Sequence, residues 1–115
     1  MAAAPVTIKV REEISPEQFC LEWFGLHKLS RPEQIREQSS RGYRKRCIKL
    51  LCEVLGKSFS TVNHWGSGTS FNKFPPEYRS RLAQVLLYKQ VKELSAYGRP
   101  FRAINTQRES GEFRI

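Results

Sequence analysis

The sequence predicts an all-α fold, a compact bundle of four to five helices that contains a helix-turn-helix, with flexible or short strand-forming termini. Three observations lead to this prediction. The 115 residues suit one domain, and 39% of them are apolar, enough for a packed core. Apolar residues recur at helical spacing through most of the chain, and Ser-Pro or Pro-Glu starts and glycine stops separate the segments.

The first 14 residues are predicted to be an N-terminal tail, in which residues 7–10 form a short strand if an edge is available for pairing. Ser15 then supplies an N-cap, and Pro16 occupies the first helical position. The apolar spacing that follows predicts a core helix to about Lys28. Its Trp23 is expected in the core.

A second helix is predicted from Arg31 to about Ser40, because Ser30 repeats the capping signal, and a break is expected near Gly42. The third helix ends at Gly56 and carries one apolar stripe at positions i, i+3, i+4 and i+7, formed by Ile48, Leu51, Cys52 and Leu55.

The last helix is predicted over 76–97, opened by two prolines and stopped by Gly98 and Pro100. Its apolar stripe is wider than one core can cover, which suggests a homodimer contact. The helical domain therefore spans 15–98, and 99–115 form a basic C-terminal tail with a faint strand signal at 112–115.

The net charge favours polyanionic partners. Twenty Lys and Arg residues against 11 acidic ones leave +9. Residues 1–30 hold three basic and four acidic groups and sum to −1, so residues 31–115 carry +10. An excess confined to one region is typical of nucleic-acid binding, although a solvated basic surface without a ligand has the same composition.

An enzyme is not predicted. All 11 acidic residues are Glu, and Glu53 is the only acid between Glu37 and Glu77, so clustered carboxylates for metal or proton transfer are lacking in this region. His64 with Cys47 or Cys52 lacks the paired short spacing of a zinc site. No metal and no cofactor are expected.

The three cysteines, none in a C-x-x-C motif, are predicted to be core thiols of a reducing compartment. The N-terminus lacks the features of a secretory signal, and no stretch approaches the ~18 apolar residues of a membrane span. A cytoplasmic, nucleoid-associated protein is therefore expected.

The segment 51–68 predicts two helices at a sharp angle. Gly56 can adopt the left-handed conformation that ends the first helix, and Ser58 can cap the next one. In that second helix Val62 and Trp65 lie three residues apart and are expected to face the first helix. Four short polar or aromatic residues are then left on the outer side, namely Phe59, Ser60, Asn63 and His64.

This run resembles the phage-repressor, or xenobiotic-response-element, class of helix-turn-helix domains, whose pattern reads L-A-x-x-L-G-x-S-x-x-T-[IV]-x-x-W-x-x-G. Cys52 stands in for the usual alanine, and the remaining positions match without a gap at Leu51, Leu55, Gly56, Ser58, Thr61, Val62, Trp65 and Gly68. In that family a Pro-containing loop and a further helix follow the pattern, and this sequence is similar there as well. The resemblance therefore covers about residues 44–87.

The resemblance implies DNA binding through the helix that begins at Ser58. Base contacts then fall on Phe59, Ser60, Asn63 and His64. Phosphate contacts are expected from Arg41, Arg44, Lys45, Lys57, Ser58, Ser67 and Lys73.

The sequence thus predicts a small transcriptional regulator, repressor-like in its mode of binding double-stranded DNA, that acts as a homodimer through helix 76–97 on two half-sites. The alternative is a helix-turn-helix interaction module or an architectural subunit of a nucleoprotein complex, with a protein or RNA partner.

Overall fold

The computed structural model describes residues 6–96, 98 and 101–105, and this part of the chain is mostly helical. The predicted all-α bundle is confirmed. The α-helices are α1 (Pro16–Trp23), α2 (Arg31–Gln38), α3 (Tyr43–Leu55), α4 (Phe59–Asn63) and α5 (Arg79–Ala96). Two short 3-10 helices, Leu26–Lys28 and Pro76–Tyr78, and two strands, β1 (Val6–Val10) and β2 (Phe101–Asn105), complete the described elements.

Helix α1 begins as predicted and ends earlier than predicted. The Ser15 hydroxyl accepts a hydrogen bond from the Gln18 backbone N–H at 3.1 Å, and Pro16 follows the cap. The helix ends at Trp23 because Gly25 lies in the left-handed region, with φ of +77°. The predicted extension to Lys28 is therefore wrong: those residues form a separate 3-10 turn.

Helix α2 lies on the surface and buries none of its residues. It is held at its start by a capping box, in which Ser30 and Glu33 bond each other's backbone N–H groups. Its Ile35 is half-exposed. The predicted break before α3 is confirmed at Gly42, whose φ is +88°.

The core is a single cluster to which α1, α3, α4, α5 and the loop before α5 all contribute. Its fully buried members include Phe19, Leu51, Val62, Phe71 and Leu82. The cysteines are free thiols, with Cys20 and Cys47 buried and Cys52 half-buried. Trp23 is only half-buried, which corrects the expectation that it lies within the core.

The strand predicted at 7–10 does form, and its pairing partner is β2, in parallel, from Val6 opposite Phe101 to Val10 opposite Asn105. A parallel pair needs a long crossover, and here the helical bundle supplies it. The strand signal at 112–115 lies outside the described residues. No described helix is both long enough and apolar enough to cross a membrane.

Candidate nucleic-acid interface

The corner between α3 and α4 has the conformation expected from its sequence. Gly56 is left-handed, with φ of +68°, and its N–H donates to the Cys52 carbonyl at 2.8 Å. Two residues later the Ser58 hydroxyl accepts from the Thr61 N–H at 3.2 Å and also contacts the Thr61 hydroxyl at 2.9 Å. Glycine ends one helix and serine starts the next, so the chain turns within Gly56–Ser58.

The inner side of α4 packs as predicted. Val62 is fully buried and Trp65, just after the helix, is 9% exposed. The Trp65 ring lies edge-on to Phe74, with centroids 5.1 Å apart, and 5.9 Å from Tyr78 at the start of the last helical segment. These contacts fix the orientation of α4, which at five residues is too short to be stable alone.

The outer side of α4 presents all four predicted reading residues to solvent: Phe59, Ser60, Asn63 and His64. Phe59 keeps 44% of its surface exposed, so its ring is accessible to a ligand. The His64 ring bonds the Ser60 carbonyl through Nδ1 at 2.6 Å. A carbonyl can only accept, so Nδ1 carries a proton, and in the neutral form of the ring Nε2 is then an acceptor.

Arg44 makes several intramolecular contacts, and its predicted contact with phosphate stays a prediction. Its Nη2 donates to both the backbone carbonyl and the Oδ1 of Asn63, each at 3.1 Å. Its Nη1 donates to the Gly68 carbonyl, and its guanidinium carbon lies 5.0 Å from the Phe71 ring centroid. Arg44 therefore ties the end of α4 and the following loop to α3. Because Oδ1 of Asn63 is engaged, its Nδ2 amide is the group left for a ligand.

Most of the other predicted phosphate contacts are exposed to solvent. Arg41, Lys45, Ser67 and Lys73 are all exposed. Lys57 is exposed too, and its ammonium lies 5.5 Å from the Tyr78 ring centroid. A lysine stem on an aromatic face accounts for a charged residue at this turn. The Ser58 hydroxyl is used as the helix cap, so its contribution to a ligand is the free backbone N–H groups that follow it.

The loop after α4 is better anchored than its composition of Gly, Ser and Thr indicated. Phe71 adopts a left-handed φ of +48° and is buried. The Lys73 N–H donates to the Trp65 carbonyl at 2.9 Å, which closes the loop. Sequence reasoning missed both Phe71 and the role of Arg44. The sequence did contain a signal for the buried position of Phe71, because Phe71 is a lone aromatic residue inside a polar stretch.

The electrostatic character of this region follows from its residues. Residues 38–76 contain seven Lys and Arg and one acid, Glu53, for a net charge of +6. Arg46 stands apart from the site, because its guanidinium carbon lies 4.6 Å from the Phe24 centroid on the other side of α3. The segment thus offers exposed hydrogen-bonding groups on α4 and exposed cations elsewhere along it.

Comparison with protein-family models, with curated proteins and with solved structures finds no match to this chain. Within the described residues, no three His, Cys or Glu side chains are grouped as a metal site requires. His64 and Cys47 in particular lie in different environments, His64 in solvent and Cys47 in the core.

Proposed function

We propose that this protein binds duplex DNA, with α4 in the major groove and the surrounding lysine and arginine residues on phosphates, and that it acts as a small transcriptional regulator. The observation that carries the proposal is the exposure of Phe59, Ser60, Asn63 and His64 together on one short helix. They lie within a segment of net charge +6. Phosphate contacts then set the position of the protein, and the four side chains read base edges.

The chemistry of the four side chains suits base edges. The Nε2 atom of His64 accepts, the Nδ2 group of Asn63 donates, and the Ser60 hydroxyl can do either. Phe59 has an exposed ring for the methyl group of thymine. Each matched contact contributes about 1–3 kcal/mol of discrimination against a wrong base.

The length of α4 limits how much sequence one subunit reads. Five residues rise about 7.5 Å along the helix axis, a span of roughly two to three base pairs. One copy therefore covers too few bases for a unique site, and two copies on half-sites about 34 Å apart are needed.

The dimer contact that we propose is the outer face of α5. Tyr88 there is 67% exposed, and an apolar groove beside it is bordered by Trp23, Val85 and Ala96. Sedimentation of the free protein and of its DNA complex tests this contact. Tyr88→Glu is expected to convert dimer to monomer and to weaken DNA binding, and a wild-type protein that stays monomeric in both states at high concentration contradicts it.

The phosphate contacts are tested by the salt dependence of affinity. Fluorescence anisotropy with a random-sequence duplex is expected to give a linear fall of log K with log salt, and Lys45→Ala to reduce its slope by about 0.9. Lys9→Ala is the matched control. Lys9 lies on β1 and lines the same cleft as Glu93, and Glu93 is about 20 Å along α5 from Tyr78 and the site. An equal effect of both variants would show that charge alone, and not this surface, binds DNA.

The reading role is tested by selection on random duplexes. A regulator enriches one motif, and His64→Ala relaxes the preference at one position by about 1–3 kcal/mol. Tight binding with no enriched motif would instead support the architectural alternative. Absence of duplex binding at ~0.1 M salt would refute the proposal. The remaining hypothesis would then be a helix-turn-helix interaction module with a protein or RNA partner.

A further inference from the structure

A cleft on the other side of the molecule is not used by the proposed DNA-binding surface. It lies between β1, α1, the first 3-10 turn and the C-terminal half of α5, and its volume is about 510 Å³. Small-molecule sites in proteins commonly occupy about 300–1,000 Å³. The cleft is therefore large enough for a small organic molecule, and its walls differ in chemistry.

One wall contains an ion pair that is largely shielded from water. The Nη2 atom of Arg11 bonds both carboxylate oxygens of Glu22, at 2.9 and 2.7 Å, and Gln18 donates to Oε2 at 2.8 Å. Glu22 is 9% exposed. Burial alone would raise its pKa, but the hydrogen bonds from Arg11 and Gln18 outweigh burial and lower the pKa of Glu22. The carboxylate is thus ionised, and it holds Arg11 in one orientation.

The same wall has a surplus of positive charge. Arg11 balances Glu22, and Lys89 balances Glu93 through a 2.7 Å ion pair. Lys9 and Lys28 also line the cleft and are exposed, and neither has an acidic partner among the described residues. The Nε and Nη1 donors of Arg11 likewise have no acceptor within the described part of the chain. Two uncompensated ammonium groups beside a fixed guanidinium attract an anion.

Other residues of the lining are apolar. They include Trp23, Leu86 and Leu94. Trp23 is held in place by Phe19, with ring centroids 5.5 Å apart, and by the Lys89 ammonium, 5.0 Å from its ring. A half-exposed tryptophan that is fixed by its neighbours offers a preorganised contact for an apolar group.

We propose that this cleft binds a small amphipathic organic anion, with its carboxylate or phosphate toward Lys9, Arg11 and Lys28 and its apolar body against Trp23, Leu86 and Leu94. Recognition requires both halves of the ligand, since neither wall is extensive. This site does not depend on the proposed base-reading surface, because none of its lining residues belongs to α3, α4 or the loop after α4. It shares Trp23, Lys89 and Glu93 with the groove of the proposed dimer contact.

The test uses defined probes and the two tryptophans of the chain. Indole-3-acetate is titrated into the full-length ¹⁵N-labelled protein, and Trp23→Phe assigns the two indole N–H signals. We expect a saturable chemical-shift change of the Trp23 indole signal. The Trp65 signal should not change, because Trp65 does not line the cleft. Indole-3-acetamide, which lacks the charge, and inorganic phosphate, which lacks the apolar body, are expected to bind at least tenfold more weakly.

Charge variants test the basic wall. Lys9→Gln and Lys28→Gln are exposed substitutions that leave the Glu22 ion pair intact, and each is expected to raise the dissociation constant for indole-3-acetate about fivefold, as for one contact charge in water. Lys45→Gln on α3 is the matched control and should leave it unchanged. No saturation up to ~10 mM, equal binding of the acetamide or of phosphate, or an equal effect of Lys45→Gln would each overturn the proposal.

Discussion

Removal of the Arg44 side chain is expected to loosen α4 before it affects any ligand. Arg44 is the link between the middle of the bundle and the helix that we propose to read DNA, because it donates to two acceptors on Asn63 and one on Gly68. It also covers the ring of the buried Phe71. Arg44→Ala removes all four contacts at once, whereas a surface arginine would contribute almost nothing to stability.

The magnitude follows from the number and exposure of these contacts. A hydrogen bond from a charged donor contributes about 1.5–3 kcal/mol when it is well buried. These bonds lie near the surface, so about 0.5 kcal/mol each is appropriate, and the cation–π contact with Phe71 adds about 0.5 kcal/mol. The free energy of unfolding should fall by about 2 kcal/mol. For a domain of this size the melting temperature then falls by about 8 °C.

Urea denaturation and calorimetry of wild type, Arg44→Ala and Lys45→Ala measure this effect. Lys45 is the matched control, because it is the exposed neighbour of Arg44 and has no hydrogen-bond partner among the described residues; its substitution should change stability by less than ~0.5 kcal/mol. Arg44→Lys keeps the charge but loses the planar fork, so it should recover less than half of the loss. Equal stabilities of Arg44→Ala and Lys45→Ala would refute the intramolecular role, and Arg44 would return to the set of phosphate contacts.

Two further predictions concern the fold. Gly66 has φ of +112°, and a Cβ there would lie 2.8 Å from the Asn72 backbone nitrogen; Gly66→Ala should therefore destabilise the protein by at least ~2 kcal/mol. Gly68 has φ of +69° and open space around it, so Gly68→Ala should cost only about 1 kcal/mol, and equal losses in urea denaturation would contradict this distinction. Glu22→Gln should destabilise by about 2 kcal/mol at pH 7, because the charge that accepts from Arg11 is lost. The pKa of Glu22 lies below its ordinary 4.5 in the folded protein. The stabilisation by the Glu22 carboxylate is therefore present above pH ~4.5 and is lost as the pH falls through the folded pKa. A stability difference between wild type and Glu22→Gln that persists unchanged at pH 2–3 would refute the ion-pair account.

Local signals in the sequence were sufficient for most helix boundaries and for the corner. Ser15, Ser30 and Ser58 cap the helices that they were expected to cap. Gly42 and Gly56 interrupt the chain where expected, because capping and left-handed turns depend on a few neighbouring residues. The early end of α1 is the exception: the helix was predicted to continue to about Lys28, but Gly25 takes a positive φ and ends it.

Long-range contacts were beyond the reach of such signals. The partner of β1 is a strand more than 90 residues away in the chain. Alternation of apolar and polar residues can indicate a strand, but it does not indicate which other strand pairs with it. The role of Arg44 depends on where the carbonyl groups of Asn63 and Gly68 come to lie, and the cleft around Arg11 and Glu22 exists only after four elements have assembled.

The amino-acid sequence alone determined the helical class of this protein, the corner at Gly56–Ser58 and the outward face of α4, since these follow from backbone preferences and from the alternation of apolar and polar residues over a few positions. Only the tertiary structure decided which cationic side chains remain available for a ligand and which form hydrogen bonds within the protein. Arg44 and Lys45 are adjacent and both basic, yet one is bonded to Asn63 and the other faces solvent. Charge is a property of the residue, whereas its availability depends on the acceptors that folding brings within hydrogen-bonding distance.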